Sequence, residues 1–147
     1  MRYVLDTNIL LFYIRGGAAR EFVEHHYAPF DAENEAIISV VTVAEIMVLA
    51  SINNWGSAKM KLLQQLIDGV TIVEVKFRDL IDCYLEIEQY NRNLHPDKRR
   101  SGSHVKMGKN DIWIAATAMV TNAKLLTADL DFAHLDDTLI DVTVVRL

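Results

Sequence analysis

Five short apolar runs alternate with helix-like segments along this chain, and that alternation limits the fold more than any other feature. Arg2–Leu5, 36–41 (AIISVV), 70–75 (VTIVEV), 124–126 and 142–146 (VTVVR) read as strands. Between them the spacing predicts helices. One is opened by Asp6-Thr7-Asn8 and ended by Gly16-Gly17. Others cover 18–27, stopping before Pro29, then 42–52, 57–67 (closed by Asp68-Gly69) and 78–90. Strands that alternate with helices imply βαβ units, right-handed crossovers and a parallel sheet covered on both faces. No repeat, low-complexity tract or linker divides the chain. The expected fold is therefore one three-layer α/β/α domain over residues 1–147, with a central parallel sheet.

A chain of 147 residues, 51% of them hydrophobic, is long enough for one domain with a real core and too apolar for a disordered segment. Its one cysteine, Cys83, excludes an internal disulfide and a thiolate metal cluster, which suits a reducing compartment. No apolar run approaches the roughly 18 residues of a membrane helix. The start, MRYVLDTNILLFYI, invites comparison with a signal peptide, but Asp6 interrupts it and no small-residue cleavage site follows. A cytoplasmic protein is the expectation.

The stretch 108–132 (GKNDIWIAATAMVTNAKLLTADLDF) concentrates the chemistry. Asn110 reads as an N-cap, with Ile112, Ala115, Ala116 and Met119 at helical spacing behind it. Thr121-Asn122 closes that helix, a short buried strand follows, and Thr127-Ala128-Asp129 leaves the strand. Asp111 thus stands at a helix N-terminus and Asp129 at a strand C-terminus. In a parallel α/β sheet both kinds of place lie on one edge, where ligands bind.

Each acid has a plain explanation. Asp6 ends a strand and starts a helix, as a cap or dipole partner does. Thr42-Val43-Ala44-Glu45 matches a capping box, in which Glu45 would reach back to the Thr42 amide. Asp111 can serve the helix dipole, and Asp129 and Asp131 can be turn formers. Together the explanation weakens, because Asp6, Glu45, Asp111 and Asp129 all fall at strand-to-helix handovers or in a first helical turn. Four carboxylates converging on one edge raise one another's pKa values. A hard divalent cation relieves that repulsion, and Mg²⁺ and Mn²⁺ favour oxygen donors. Such a site suits metal-dependent hydrolysis of a phosphodiester.

At this point the residues carry a resemblance. V-L-D-T-N at 4–8, V-A-E at 43–45, N-D-I-W-I-A-A-T-A at 110–118 and T-A-D-L-D-F at 127–132 resemble the PIN-domain family, above all its VapC-like toxins of type II toxin–antitoxin pairs. The resemblance implies an endoribonuclease that binds Mg²⁺ or Mn²⁺ and cleaves single-stranded RNA, usually as a homodimer held inactive by a cognate antitoxin. Position by position, Asp6, Glu45 and Asp111 match the three core acids. Asp129 matches the fourth, with Asp131 a possible substitute. Asn8 and Thr127 match polar positions that support the cluster through hydrogen bonds.

The chain departs from the family pattern in a long basic stretch before Asp111. Between Arg92 and Lys109 stand six cations (Arg92, Lys98, Arg99, Arg100, Lys106, Lys109) against one acid, Asp97, on a chain of net charge −5. As a functional element this stretch puts Lys98, Arg99, Arg100, Lys106 and Lys109 on RNA phosphates. Otherwise it is a solvated surface loop.

Other features are weaker. His25-His26 point in different directions on a helix, and Cys83 reads as a small apolar residue. Trp55 and Trp113 read as core or interface. Phe12, Tyr13 and Phe22 form either core or an apolar patch for a partner. Two rival functions stand beside the nuclease. One is an Asp-dependent phosphotransferase or phosphatase, whose D-x-D pattern would need an acid where Asn8 stands. The other is a catalytically silent binding or regulatory module whose acids only cap helices.

Overall fold

The computed structural model describes residues 1–147. Strands β1 (Arg2–Leu5), β2 (Glu35–Ser39), β3 (Thr71–Val73), β4 (Lys124–Thr127) and β5 (Asp141–Val144) form one sheet in the order β3-β2-β1-β4-β5. Every pairing is parallel, as the alternation predicts. Helices α1 (Thr7–Arg15), α2 (Ala18–His26), α3 (Val40–Ile52), α4 (Ser57–Asp68), α5 (Arg78–Asn91) and α6 (Lys109–Thr121) cover the two faces, and a 3₁₀ turn spans Leu130–Leu135.

Strand period divides the interior into two cores. Side chains of successive strand residues point to opposite faces. Val4, Ile37 and Leu125 accordingly pack with Leu80 and Ile87 of α5 and with the buried stripe of α6. Tyr3, Leu5, Ala36, Ile38 and Leu126 pack on the other face with Ile9 and Leu10 of α1, Val23 of α2 and Leu63 of α4. Helix α3 serves both, giving Val41 to the first core and Ile46 to the second. Because β1 is central and covered on both faces, Val4 and Leu5 are fully buried, and the residue that ends this strand is fixed on every side.

Helix ends obey local chemistry. Asp6 caps α1 by accepting from the Thr7 amide, and Gly16 closes it at φ 70°, a left-handed conformation that suits glycine. Asn122 closes α6 in the left-handed region, at φ 49°.

Several boundaries differ from the sequence reading; β5, for example, covers Asp141–Val144 rather than 142–146. The apolar run 36–41 is not all strand. It ends at Ser39, whose buried hydroxyl accepts from the Val41 amide at 3.2 Å and starts α3 there. A local side-chain cap decides the boundary over the β-preference of Val40 and Val41. The run 70–75 shortens to Thr71–Val73, an edge strand with one neighbour. Helix α6 begins at Lys109 with Gly108 as its cap, so Asn110 lies in the first turn instead of capping it.

Phe12, Tyr13 and Phe22 belong to the second core. Tyr13 is buried, with its ring 4.8 Å from that of Phe30 and its hydroxyl donating to Glu24. Cys83 packs against the first core, and burial pushes its thiol up. His25 and His26 hold no cluster; His26 stacks on Phe22 at 4.0 Å. Trp113 lies 4.3 Å from Tyr84, ring centroid to ring centroid, and Trp55 packs beside the second core. Apolar side chains are exposed on α3 (Met47, Val48 and Ile52) and on α5 and its N-cap (Phe77, Ile81 and Leu85), with Leu94 and Leu130 elsewhere. No helix is long and apolar enough to cross a membrane.

Candidate functional site

The C-terminal ends of β1 and β4 bring the acids together. The Asp6 amide donates to the Leu126 carbonyl at 3.0 Å, so the sheet ladder holds Asp6 level with the end of β4. Asp6 is 5% exposed, and its carboxylate accepts three hydrogen bonds, which leaves accepting capacity on Oδ1. Oδ1 accepts from the Thr7 amide at 2.7 Å, and Oδ2 accepts from Thr127 Oγ1 at 2.7 Å and Asn8 Nδ2 at 3.0 Å. Asn8 Oδ1 accepts from the Ala128 amide at 3.1 Å, and Thr127 Oγ1 accepts from the Asp129 amide at 3.0 Å. Asn8 and Thr127 thus tie the end of β1 to the chain leaving β4.

Glu45 stands in the second turn of α3. The capping-box explanation for it fails: Ser39 is the cap, and Thr42 is buried inside the helix with no partner for its hydroxyl. Glu45 Oε1 instead accepts from Thr7 Oγ1 at 3.1 Å, which aims it at the Asp6 turn. The sequence reading missed Thr7. Its position beside Asp6 was the available signal.

Asp111 lies in the first turn of α6 and is half-buried. Asp129 leaves β4 and caps the 3₁₀ turn, its Oδ1 accepting from the Asp131 amide at 2.8 Å. That bond brings Asp131 round. Carboxylate oxygens of Asp111, Asp129 and Asp131 all lie within 4.8 Å of one another. Asp131 thus stands beside Asp129 and Asp111, and the charges of Asp6 and Glu45 act on the same group.

The electrostatics record this crowding. Burial, then the charges of Asp6, Asp129, Glu45 and Asp131, push the Asp111 carboxyl up to about 6. Burial also raises Asp6, with Thr127 and the Thr7 amide working against it and Glu45 and Asp129 adding to it. The donor set is all carboxylate oxygen, with no thiolate or imidazole in it. Hard divalent ions such as Mg²⁺ and Mn²⁺ fit that chemistry, and a cation would relieve the repulsion that raises Asp111.

A raised carboxylate has a definite consequence for stability. Because folding lifts Asp111 above its ordinary value of 3.8, the folded chain binds the proton more tightly than the unfolded one. Its contribution is fully present below about pH 4 and is lost as pH rises through about 6. In metal-free buffer, Asp111→Asn is expected to melt about 2–4 °C above the parent at pH 7.5, equivalent to roughly 1 kcal/mol after solvent screening. The difference should vanish near pH 4. Thermal melts of both proteins across that range check it, and a gap independent of pH would refute it.

The basic residues divide between two places. Lys98 Nζ donates to the Thr138 carbonyl, and Arg100 reaches the Ser103 carbonyl at 2.9 Å. Lys106 and Lys109 line a cleft beside Gly108, at the start of α6.

No curated protein matches this chain. Among solved structures, the chain is similar to VapBC2 from Rickettsia felis bound to a promoter DNA fragment (TM-score 0.71, 21% identity, 99% of this chain and 100% of that one). It is also similar to VapBC-1 from nontypeable Haemophilus influenzae (TM-score 0.70, 20% identity, 98% of each chain). FitAcB from Neisseria gonorrhoeae is a third (TM-score 0.68, 22% identity, 95% of each chain). At these identities the likeness is one of fold. A family model, by contrast, matches residues 3–138, which take in all five acids, Asn8 and Thr127. On that match the chain belongs to the PIN domain family.

Proposed function

We propose that this protein is a Mg²⁺- or Mn²⁺-dependent endoribonuclease that hydrolyses phosphodiester bonds of single-stranded RNA. The observation that carries the reading is the convergence of Asp111, Asp129 and Asp131 within 4.8 Å, with Asp6 and Glu45 behind them. A bound divalent ion would activate water and stabilise charge on the phosphate. In this reading Asp6, Glu45, Asp111 and Asp129 hold the ion, with Asp131 assisting.

The chain's own residues supply position. Thr127, Thr7 and Asn8 keep Asp6 in one rotamer through three hydrogen bonds, and Thr7 orients Glu45. Such supporting partners typically contribute 10- to 100-fold to affinity or activity. The basic Arg92–Lys109 segment leads into the Asp111 helix and offsets the repulsion that five carboxylates exert on a polyanion.

We further assign the protein to the toxin side of a toxin–antitoxin pair in the cytoplasm. Similar structures include a toxin–antitoxin complex from Klebsiella pneumoniae and a member of the VapBC family of toxin–antitoxin systems from Mycobacterium tuberculosis, which supports a cognate antitoxin. Homodimerisation is supported by the exposed Met47, Val48 and Ile52 on α3, a helix whose one charged residue is Glu45. The phosphotransferase alternative loses ground at Asn8, whose two side-chain atoms are already engaged by Asp6 and Ala128. The silent-module alternative has to explain why five acids meet at a strained electrostatic cost.

The test is cleavage of a mixed-sequence RNA with Mn²⁺ or Mg²⁺, then with EDTA. Cleavage should require the ion, and Mn²⁺ should raise Tm in a concentration-dependent way. Phosphate label trapped on the protein would favour the phosphotransferase. No cleavage and no stabilisation would favour the silent module.

A further inference from the structure

The Arg92–Lys109 segment is a built structure. His95 is 4% exposed; its Nδ1 accepts the amides of Asp97 at 3.1 Å and Lys98 at 2.9 Å, so its Nε2–H faces Glu86 of α5 at 3.0 Å. Val105 donates to the Asn91 carbonyl at 2.9 Å, and Met107 is buried in the first core. Both ends of the segment are thereby fastened to the body of the protein.

The cations on it then do two different jobs. Lys98, Arg99 and Arg100 donate to the carbonyls of Thr138, Asn93 and Ser103, and Arg100 also stands 5.9 Å over the Tyr90 ring. These three hold the segment in shape. Arg92, Lys106 and Lys109 instead line an open cleft of about 550 Å³ between α5 and the segment, with Tyr84 in its wall. Its one acid is Glu88, which lies 3.6 Å from Arg92. Lys106 and Lys109 are exposed, and no acid pairs with either. The cleft meets the acidic centre at Gly108, where a Cβ would stand 3.8 Å from Asp111 Oδ2.

We propose that this cleft is a phosphate-backbone subsite, which grips single-stranded RNA a few nucleotides away from the bond that is cut. It rests on the ribonuclease reading. A positive trough that begins against the carboxylates is where a polyanion would be held once its scissile phosphate lies among them. Tyr84 adds an aromatic wall of the kind on which unpaired bases stack. An acidic peptide has no use for the adjoining hydrolytic centre, so the cleft is assigned to RNA.

The experiment measures binding of fluorescent RNAs of four and twelve nucleotides to Asp6→Asn protein between 50 and 200 mM salt. The Arg92→Ala/Lys106→Ala pair is compared with Lys59→Ala/Lys61→Ala, a charge-matched control on α4. The cleft pair should weaken the twelve-nucleotide RNA about tenfold, and flatten its log–log salt slope by about 1.4, at roughly 0.7 per phosphate. The four-nucleotide RNA should lose less than about twofold, and the control pair should match the parent for both. Lys106→Glu, at an exposed position, should reproduce the length-dependent loss by itself. Equal losses at both lengths, an unchanged salt slope, or equal loss of polyglutamate binding would overturn the proposal. If the wild type never cleaves RNA while the length-dependent pattern persists, the nuclease reading fails and the cleft stands. Cleavage with no dependence on the pair is the opposite result.

Discussion

Asp6→Asn is expected to reduce RNA cleavage by at least about a thousandfold, or roughly 4 kcal/mol of transition-state stabilisation. The side chain keeps its size but loses the charge behind the acidic cluster. It also loses half of its accepting capacity, since an amide has a single acceptor oxygen. Three donors now converge on the carboxylate, from Thr7, Thr127 and Asn8. With asparagine, one NH₂ hydrogen must face one of those donors. The Thr127 hydroxyl can turn to accept, whereas Asn8 is held by the Ala128 amide and cannot easily follow. Part of that penalty is offset, because neutralising a buried carboxylate whose pKa burial has raised removes a desolvation cost. The variant should therefore fold, with Tm within a few degrees of the parent in EDTA, but should gain little from Mn²⁺. Retained cleavage would remove Asp6 from the site and the proposed mechanism with it.

Phe132→Ala should be the more damaging change to the fold. Phe132 is fully buried in the first core, alongside Leu135, Ile140 and Val142. Truncating a buried phenylalanine costs about 3–5 kcal/mol, a large share of the 5–15 kcal/mol that holds a typical domain together. For a chain of this size the melting temperature should fall by about 6–20 °C. The effect reaches the site because Phe132 fastens the 3₁₀ turn whose first residues carry Asp129 and Asp131. Loosening it should also shrink the stabilisation given by Mn²⁺. A urea titration with and without the ion reads both quantities. A loss under about 1 kcal/mol would mean that the turn is held by its hydrogen bonds alone.

How much of this could be read in advance depended on whether the deciding interaction was local. Strand period and helix spacing are local, so the parallel sheet and the position of Asp6 and Asp129 at its edge were legible. So was the end of α6 at Thr121-Asn122, which carries its own stop signal. Glu45 was legible by position but not by contact. Thr42 made a convincing capping box with it until Ser39 proved to be the cap, and its true partner, Thr7, is distant in sequence. Asp131 reads as a substitute for Asp129, since nothing in the order of residues reveals that the Asp129 side chain accepts from the Asp131 amide. The basic segment was the hardest to read. A charge run suggests a solvated loop, and only the burial of His95 against two backbone amides shows otherwise. A ring nitrogen that accepts two backbone amides leaves no pattern in composition.

The central strand has one further consequence, which concerns time. β1 is made first and can pair with β2 early, but its other neighbour, β4, is made more than a hundred residues later. The bond from Thr127 to Asp6 spans 121 positions of chain. Until β4 leaves the ribosome, Asp6 lacks its Thr127 partner, and Asp129 and Asp131 do not exist. The acidic centre therefore cannot assemble until the chain has been made through Asp131, more than a hundred residues after Asp6.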